Sequence, residues 1–145
     1  MLKTTEASAM RRRAINPWTW QDAFGYVQAN EISGAQRVLI CSGQLATDAD
    51  GELLYANDMR GQIGQSLDNL ETVLRAAGFG WADVVRLNYY TTDVDGFMEA
   101  MASFGDRLAS DGCRPACTLL GVSRLFHPGQ MVELEATAMR SNASS

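Results

Sequence analysis

A chain of 145 residues, 46% hydrophobic and 20% charged, is long enough to bury one core without disulfide staples, so we predict a single globular domain. Seventeen Asp and Glu against twelve Lys and Arg give a formal net charge of -5 and a pI near 4.7. Because such a surface repels phosphate groups, composition disfavours nucleic acid as a partner.

The N-terminal part is predicted to be a flexible segment followed by a β-hairpin. Residues 1–15 are polar and charged without a period, so we expect them to be loosely held. Residues 18–27 mix aromatic and polar side chains, residues 33–36 suit a turn, and residues 37–41 suit a strand. The hairpin would end at residues 42–44, where a glycine allows close approach of the backbone.

Two helices are predicted in the middle of the chain. The first begins at a cap, Asn57 or Asp58, and ends at Gly78. The second is capped within residues 92–95 and ends at Gly112. The apolar residues with helical spacing are Met59, Ile63, Leu67, Leu70, Leu74 and Ala77, then Phe97, Met101, Phe104 and Leu108.

Three further strands follow from alternation with a period of two. One covers residues 85–90, and two lie between Cys113 and Met139. In the last strand one face carries Val132, Leu134, Ala136 and Ala138, and the other carries Met131, Glu133, Glu135 and Thr137.

This order of elements predicts an α+β two-layer sandwich, a mixed β-sheet with both helices on one face. The sheet face left uncovered predicts self-association. We place the domain at residues 16–140, with a flexible tail over residues 141–145.

The cysteines and the chain start indicate the compartment. Cys41, Cys113 and Cys117 form no CxxC pair, so neither a disulfide framework nor a metal site is indicated, and reduced thiols in the cytoplasm are the simplest interpretation. No apolar run approaches membrane-spanning length, and no apolar region follows the N-terminal basic residues. We expect a cytoplasmic protein with no membrane partner, no metal and no cofactor.

Six short motifs occur in order: Gly25–Gln28, Cys41–Gln44, Gln65–Leu70, Ala76–Gly78, Arg114–Ala116 and Val132–Ala138. Taken together they resemble the Rid family, also called YjgF, whose type members are small trimeric enamine and imine deaminases. The resemblance implies a chorismate-mutase-like fold, a homotrimer, and clefts at the subunit interfaces.

The resemblance also assigns site residues. Family deaminases hold the substrate carboxylate with an arginine that follows Pro-Ala, and a glutamate on the last strand helps a water attack the imine carbon. A guanidinium matches a carboxylate through two hydrogen bonds, and a carboxylate near water can act as a general base. Glu133 matches that glutamate, whereas Cys117 stands where the arginine should be. A thiol with its ordinary pKa is mostly neutral at physiological pH and cannot hold a carboxylate by charge.

Four further residues are assigned with their alternatives open. Tyr26 and Ser42 match cleft positions where a hydroxyl can orient a ligand or a water, and their alternative roles are hairpin packing and turn capping. Arg114 lies an odd number of residues before Cys117 and so faces the other side of the strand, although it can reach a ligand across an interface. Cys117 can instead be a small apolar filler, and Glu133 can instead cap backbone amides. We predict Glu133 as catalytic and the other four as substrate-binding.

These residues predict hydrolysis of an imine, enamine or related C–N compound by water that Glu133 activates. Loss of the arginine indicates a substrate without the amino-acid carboxylate, or no deamination at all. The alternative is a non-catalytic trimer that binds a metabolite in the same cleft. An endoribonuclease or translation inhibitor is opposed by the acidic charge and by the single histidine, His127, which we interpret as a loop residue. The expected partners are a small molecule and further copies of the chain.

Overall fold

The computed structural model describes residues 9–142, which form two β-sheets and three α-helices. In chain order the elements are β1 (Arg11–Ile15), β2 (Ala29–Ser33), β3 (Arg37–Ile40), α1 (Met59–Ala76), β4 (Val84–Thr91), α2 (Val94–Met101), α3 (Gly105–Ser110), β5 (Ala116–Gly121) and β6 (Val132–Arg140). Short 3-10 helices occupy Trp20–Phe24, Trp81–Asp83 and Ala102–Phe104. In this part of the chain every helix is too short or too polar to cross a bilayer.

The larger sheet has four strands in the order β3-β6-β4-β5. β6 is antiparallel to both β3 and β4, whereas β4 and β5 are parallel, so the sheet is mixed. A parallel pair needs a crossover connection, which α2 and α3 supply. The predicted α+β class with a mixed sheet is therefore confirmed.

The core lies between α1 and the sheet. Residues spaced three or four apart share one face of α1, and alternate residues share one face of β6. Both sets point into the same layer, where the fully buried side chains include Ile63, Leu67, Leu70, Leu74, Val132, Leu134 and Ala138. Glu133, Glu135 and Thr137 lie on the other face of β6 and are partly exposed, which confirms the predicted alternation.

The ends of α1 follow the sequence signals. Asp58 is the N-cap, and its carboxylate accepts a hydrogen bond from the Gly61 N–H at 3.0 Å. Gly78 has a φ of 79°, the left-handed conformation that ends a helix. The Arg37 guanidinium donates to the Ala77 carbonyl and the Arg140 guanidinium to the Gly78 carbonyl, each at 2.6 Å. The C-terminus of α1 is therefore bonded to the neighbouring strands β3 and β6.

The N-terminal part differs from the sequence prediction. β1 pairs with β2, while residues 18–27 form a 3-10 helix and a loop, so the predicted hairpin of residues 18–27 with residues 37–41 is wrong. Gly25, with a φ of 74°, ends the 3-10 helix and prevents a continuous strand there. Residues 11–15 form β1, so the expectation that residues 1–15 are loosely held is wrong for that stretch; residues 1–8 lie outside the described part.

Two smaller expectations also need correction. The second predicted helix is divided into α2 and α3 by a 3-10 turn, where the Ser103 hydroxyl donates to the Ala100 carbonyl at 2.7 Å. In the predicted tail, Ser141 Oγ accepts from the Met10 N–H, and the Asn142 N–H donates to Gln36 Oε1. These two tail residues are therefore held by the fold, and residues 143–145 lie outside the described part.

Candidate functional site

A β-bulge follows β3 and carries Ser42. The Cys41 N–H donates to a β6 carbonyl in register with the β3 pairing, and Gln44 then exchanges two hydrogen bonds with Leu134. The register shifts by one residue between these contacts, so residues 42 and 43 together face a single residue of β6. The bulge places Ser42, which is exposed, at the β3 edge of the sheet.

Glu133 lies on β6 beside this bulge and is restrained on two sides. Gln130, which is buried, donates from Nε2 to Glu133 Oε2 at 3.3 Å and to the Val132 carbonyl at 3.2 Å. On the other side the backbone of Gly43 lies so close that a Cβ there would overlap the Glu133 carboxylate. The position of the carboxylate therefore requires glycine at residue 43.

A second buried amide fixes the loop that precedes Glu133. Gln62 on α1 is fully buried, and its Nε2 donates to the carbonyls of Tyr55 and Gly129 at 2.9 Å and 2.8 Å. Its Oε1 accepts the Met131 N–H at 2.7 Å. Sequence reasoning missed Gln62 and Gln130; the available signal for Gln62 was an amide beside the apolar positions of α1.

Glu135, on the same face as Glu133, belongs to a separate hydrogen-bond network. The Tyr90 hydroxyl donates to Glu135 Oε1 at 2.5 Å, and Asn88 Nδ2 donates to the same oxygen at 3.2 Å. The bond from Tyr90, followed by that from Asn88, lowers the pKa of Glu135, and the same bond raises the pKa of Tyr90. Glu135 is thus an ionised acceptor that joins β6 to β4.

Replacement of Tyr90 by phenylalanine is expected to raise the Glu135 pKa towards its ordinary value, because the ionised carboxylate loses a donor. A folded-state pKa below the unfolded one stabilises the fold above the unfolded pKa, and this stabilisation is lost as the pH falls through the folded pKa. The substitution should therefore cost more free energy of unfolding near pH 7 than at about pH 2. Carboxyl NMR titration and urea unfolding at both pH values measure the two effects.

The matched control is Tyr55→Phe, since Tyr55 is exposed and its hydroxyl makes no hydrogen bond within residues 9–142. An unchanged Glu135 titration in Tyr90→Phe would contradict the assigned hydrogen bond.

Tyr26 and Arg114 lie at the opposite edge of the sheet, beyond β5. The Val27 N–H donates to the Pro115 carbonyl at 3.0 Å, which places the Tyr26 segment alongside the start of β5. The Tyr26 ring meets Trp20 edge to face, with centroids 6.2 Å apart. Arg114 is exposed and makes no ion pair within residues 9–142.

Cys117 lies on β5 with its side chain towards the core layer. It is paired with the buried Leu87 of β4 and packs against the core. Burial raises the pKa of the thiol to about 12, and the neighbouring Arg86 only partly opposes this. Cys117 is therefore a neutral thiol at physiological pH, with no charge to bind a carboxylate and little thiolate to act as a nucleophile.

One chain does not bring the predicted site residues together. Glu133 lies on β6, and Ser42 lies just after β3. Tyr26 and Arg114, in contrast, lie beyond β5. With strands about 4.8 Å apart, the two groups are separated by roughly 15 to 20 Å across the sheet. The predicted site residues thus fall into two groups, which we call half-sites, one towards each edge of the sheet, and the roles of the five residues stay predictions.

Within residues 9–142 no three His, Cys, Asp or Glu side chains converge as metal ligands would. A surface depression of about 590 Å³ lies at the loop between β5 and β6, lined in part by Arg124, His127 and Gln130. It contains none of the predicted site residues. His127 lies in that loop, and its N–H donates to Gln130 Oε1 at 3.0 Å.

The chain is thus an α+β domain with one open sheet face and a glutamate beside a bulge. The family model described as Endoribonuclease L-PSP matches residues 20–140. The chain therefore belongs to this family, the Rid/YjgF family, as its sequence motifs predicted.

Three similar proteins show the breadth of that family. Protein DfrA of Myxococcus xanthus is 30% identical over 131 residues, covering 90% of this chain and 97% of DfrA. The 2-iminobutanoate/2-iminopropanoate deaminase of Escherichia coli is 30% identical over 116 residues, covering 79% of this chain and 87% of the deaminase. The crystal structure of the Rid-family protein YyfB of Yersinia pestis, of unknown function, has a TM-score of 0.78 and 37% identity, covering 88% of this chain and 98% of YyfB.

Proposed function

We propose that copies of this chain assemble into a homotrimer and hydrolyse an imine or enamine at clefts between subunits, with Glu133 activating the water. The separation of the half-sites carries this proposal, because contact between the β3 edge of one copy and the β5 edge of the next would reunite them. The uncovered sheet face supplies apolar contact surface, since Val38 is 53% and Ile40 80% exposed. The deaminase name of the Escherichia coli relative supports the reaction class.

The chemistry needs only a positioned carboxylate and water. Glu133 accepts a proton from the water as the water oxygen bonds to the carbon of the protonated imine and the C=N π electrons move to the nitrogen, and an enamine enters this step after protonation of its β-carbon. The carbinolamine nitrogen then takes the proton back from Glu133, and the C–N bond breaks as the hydroxyl oxygen forms the carbonyl and gives its remaining proton to Glu133. A carbonyl compound and an amine or ammonia leave. Gln130 and Gly43 hold the carboxylate, and the hydroxyls of Ser42 and of Tyr26 from the neighbouring copy orient the substrate or the water.

The second candidate is a metabolite-binding trimer without turnover. The observation that favours it is Cys117, because a neutral thiol packed towards the core replaces the arginine that the family deaminases use. The same cleft would then bind a ligand without driving its hydrolysis.

Two measurements on the full chain test the proposal. Sedimentation should give a mass about three times that of one chain. Hydrolysis of enzymatically generated 2-aminoacrylate, and of an imine without a carboxylate, should exceed the spontaneous rate for at least one of them. A trimer that accelerates neither supports the binding alternative, and a monomer refutes both candidates.

Mixed assemblies test whether the cleft joins two subunits. Glu133→Gln and Tyr26→Ala chains, each of low activity alone, are unfolded together and refolded as a mixture. If each site takes Glu133 from one copy and Tyr26 from the next, random mixing restores about a quarter of the sites. No recovery beyond the two separate variants would place both residues in the same subunit's site.

A further inference from the structure

The surface depression of about 590 Å³ lies where β4 and β5 end and β6 begins. Its wall combines Asn57 before α1, Thr92 after β4 and the loop between β5 and β6. The Thr92 N–H donates to the Met131 carbonyl and the Asn57 N–H to the Gly129 carbonyl, each at 3.1 Å. These hydrogen bonds hold the three segments together, so the fold itself forms the depression. Its volume lies in the range of small-molecule sites.

The polar groups of the depression suit an anion. Arg124 brings a guanidinium that makes no ion pair within residues 9–142. Thr92 and Ser123 bring hydroxyl groups, and His127 brings an imidazole N–H, all of which can donate hydrogen bonds. Among the described residues that line the depression there is no Asp or Glu, although acidic residues outnumber basic ones in the chain. The depression therefore carries a positive charge on an acidic protein.

The carboxylates next to the wall in sequence are engaged elsewhere. Asp58 and Asp93 each adjoin a wall residue, but both are helix N-caps whose carboxylates accept a glycine N–H at 3.0 Å. Neither lines this depression. A second depression, of about 450 Å³, has the opposite character, because Asp58 and Glu99 line it together with Arg60. A free guanidinium without a carboxylate thus distinguishes the first depression from the second.

The amide of Gln130 fixes part of the wall. Gln130 is 3% exposed, and its Oε1 accepts the His127 N–H at 3.0 Å. Its Nε2 donates to the Val132 carbonyl and to Glu133 Oε2. Because both ends of the amide are bonded within the chain, the loop that carries the wall is held in one position. The depression adjoins the support of Glu133 but does not include the Glu133 carboxylate.

We infer that this depression binds a small organic anion, whose carboxylate or phosphate group is held by the Arg124 guanidinium. A planar guanidinium can form two parallel hydrogen bonds to either oxyanion. The hydroxyls of Thr92 and Ser123 supply further donors, and Leu125 and Met131 supply apolar contact for the rest of the ligand. This site goes beyond the proposed function, since its ligand needs no reactive C–N bond.

Calorimetric titration of the full chain with three ligands of similar size tests the site. Benzoate and phenyl phosphate carry the two oxyanions, and benzamide is a neutral analogue of benzoate. At least one anion should bind about 10-fold or more tightly than benzamide, because hydrogen bonds between charged groups are the stronger ones. The anion that binds more tightly identifies the oxyanion that the site prefers.

Arg124→Gln should weaken binding of that anion by about 10- to 100-fold. The matched control is Arg60→Gln, which removes the same charge from the second depression and should leave the affinity within about 2-fold. Arg124 is exposed, so the variant should fold, and thermal melting checks this. In the unaltered chain, the anion should shift the amide NMR signals of residues 123–131 and leave those of residues 96–100 in place.

Four outcomes would overturn the inference. Neither anion may bind, or benzamide may bind as tightly as the anions. Arg124→Gln and Arg60→Gln may weaken binding equally, which would indicate a general effect of net charge. The anion may shift signals only outside residues 123–131, which would place it at another site. Anion binding at this depression by a chain that hydrolyses no imine would refute the proposed function alone.

Discussion

Replacing Glu133 by glutamine is expected to lower the rate of imine hydrolysis by about 10²- to 10⁴-fold, the usual contribution of a general base. Glutamine keeps the length of the side chain and can still accept the hydrogen bond from Gln130, but its amide does not take a proton from water. The matched control is Glu135→Gln, on the same face of the same strand. Steady-state rates and thermal melting of both variants separate chemistry from folding, and a near-normal rate in Glu133→Gln would remove this residue from the mechanism.

Gly43→Ala gives an independent check on the same carboxylate. Because the added Cβ would overlap the Glu133 side chain, the carboxylate must move, and a displacement of about 1 Å can cost about 10²-fold in rate. The fold should change little, since Glu133 is only partly buried and can rotate away. Gly80→Ala is the control, because nothing lies within 4 Å of a Cβ at Gly80.

Replacing Gln62 by leucine is expected to lower the free energy of unfolding by about 3 to 5 kcal/mol. Leucine has a similar size and fills the space, but it leaves the carbonyls of Tyr55 and Gly129 and the N–H of Met131 without their shared partner. Urea unfolding at fixed protein concentration measures the loss. Since folded proteins are stable by only about 5 to 15 kcal/mol, the variant should be marginal at 37 °C.

Gln65→Leu is the control for that experiment, because Gln65 lies three residues further along the same helix and is partly exposed. Within residues 9–142 its Nε2 donates only to Asn69 Oδ1, at 2.9 Å, and we expect a loss below about 1 kcal/mol. Equal losses in the two variants would mean that helix propensity, and not the hydrogen bonds to the loop, explains the effect of Gln62.

The sequence predicts best where one periodicity dominates. β6 alternates without interruption because one of its faces is covered by α1, and α1 itself has a cap, an apolar stripe and a left-handed glycine at its end. Such elements are determined by burial of one face, which a sequence displays directly. The family resemblance succeeded for a related reason, since several of its motifs lie on these elements.

The sequence predicts poorly where partners are distant along the chain. Nothing local indicates that β1 pairs with β2, because Arg11–Ile15 is rich in charge, and its Arg12 guanidinium bonds to the carbonyls of Ala82 and Val84. Gln62 likewise acquires its role from a loop far from it in sequence, through Gly129 and Met131. The opposite-edge placement of Tyr26 and Glu133 depends on strand order, which alternation alone does not specify.

In the proposed assembly, the placement of Glu133 and Tyr26 at opposite edges would link activity to protein concentration. If a complete site needs two copies, a dissociated chain has no activity, and specific activity falls upon dilution as the assembly dissociates. Ligand that binds between copies then shifts the equilibrium towards the assembled form by mass action. Substrate supply and subunit association would reinforce each other, so a cell with little of either would have almost none of the activity.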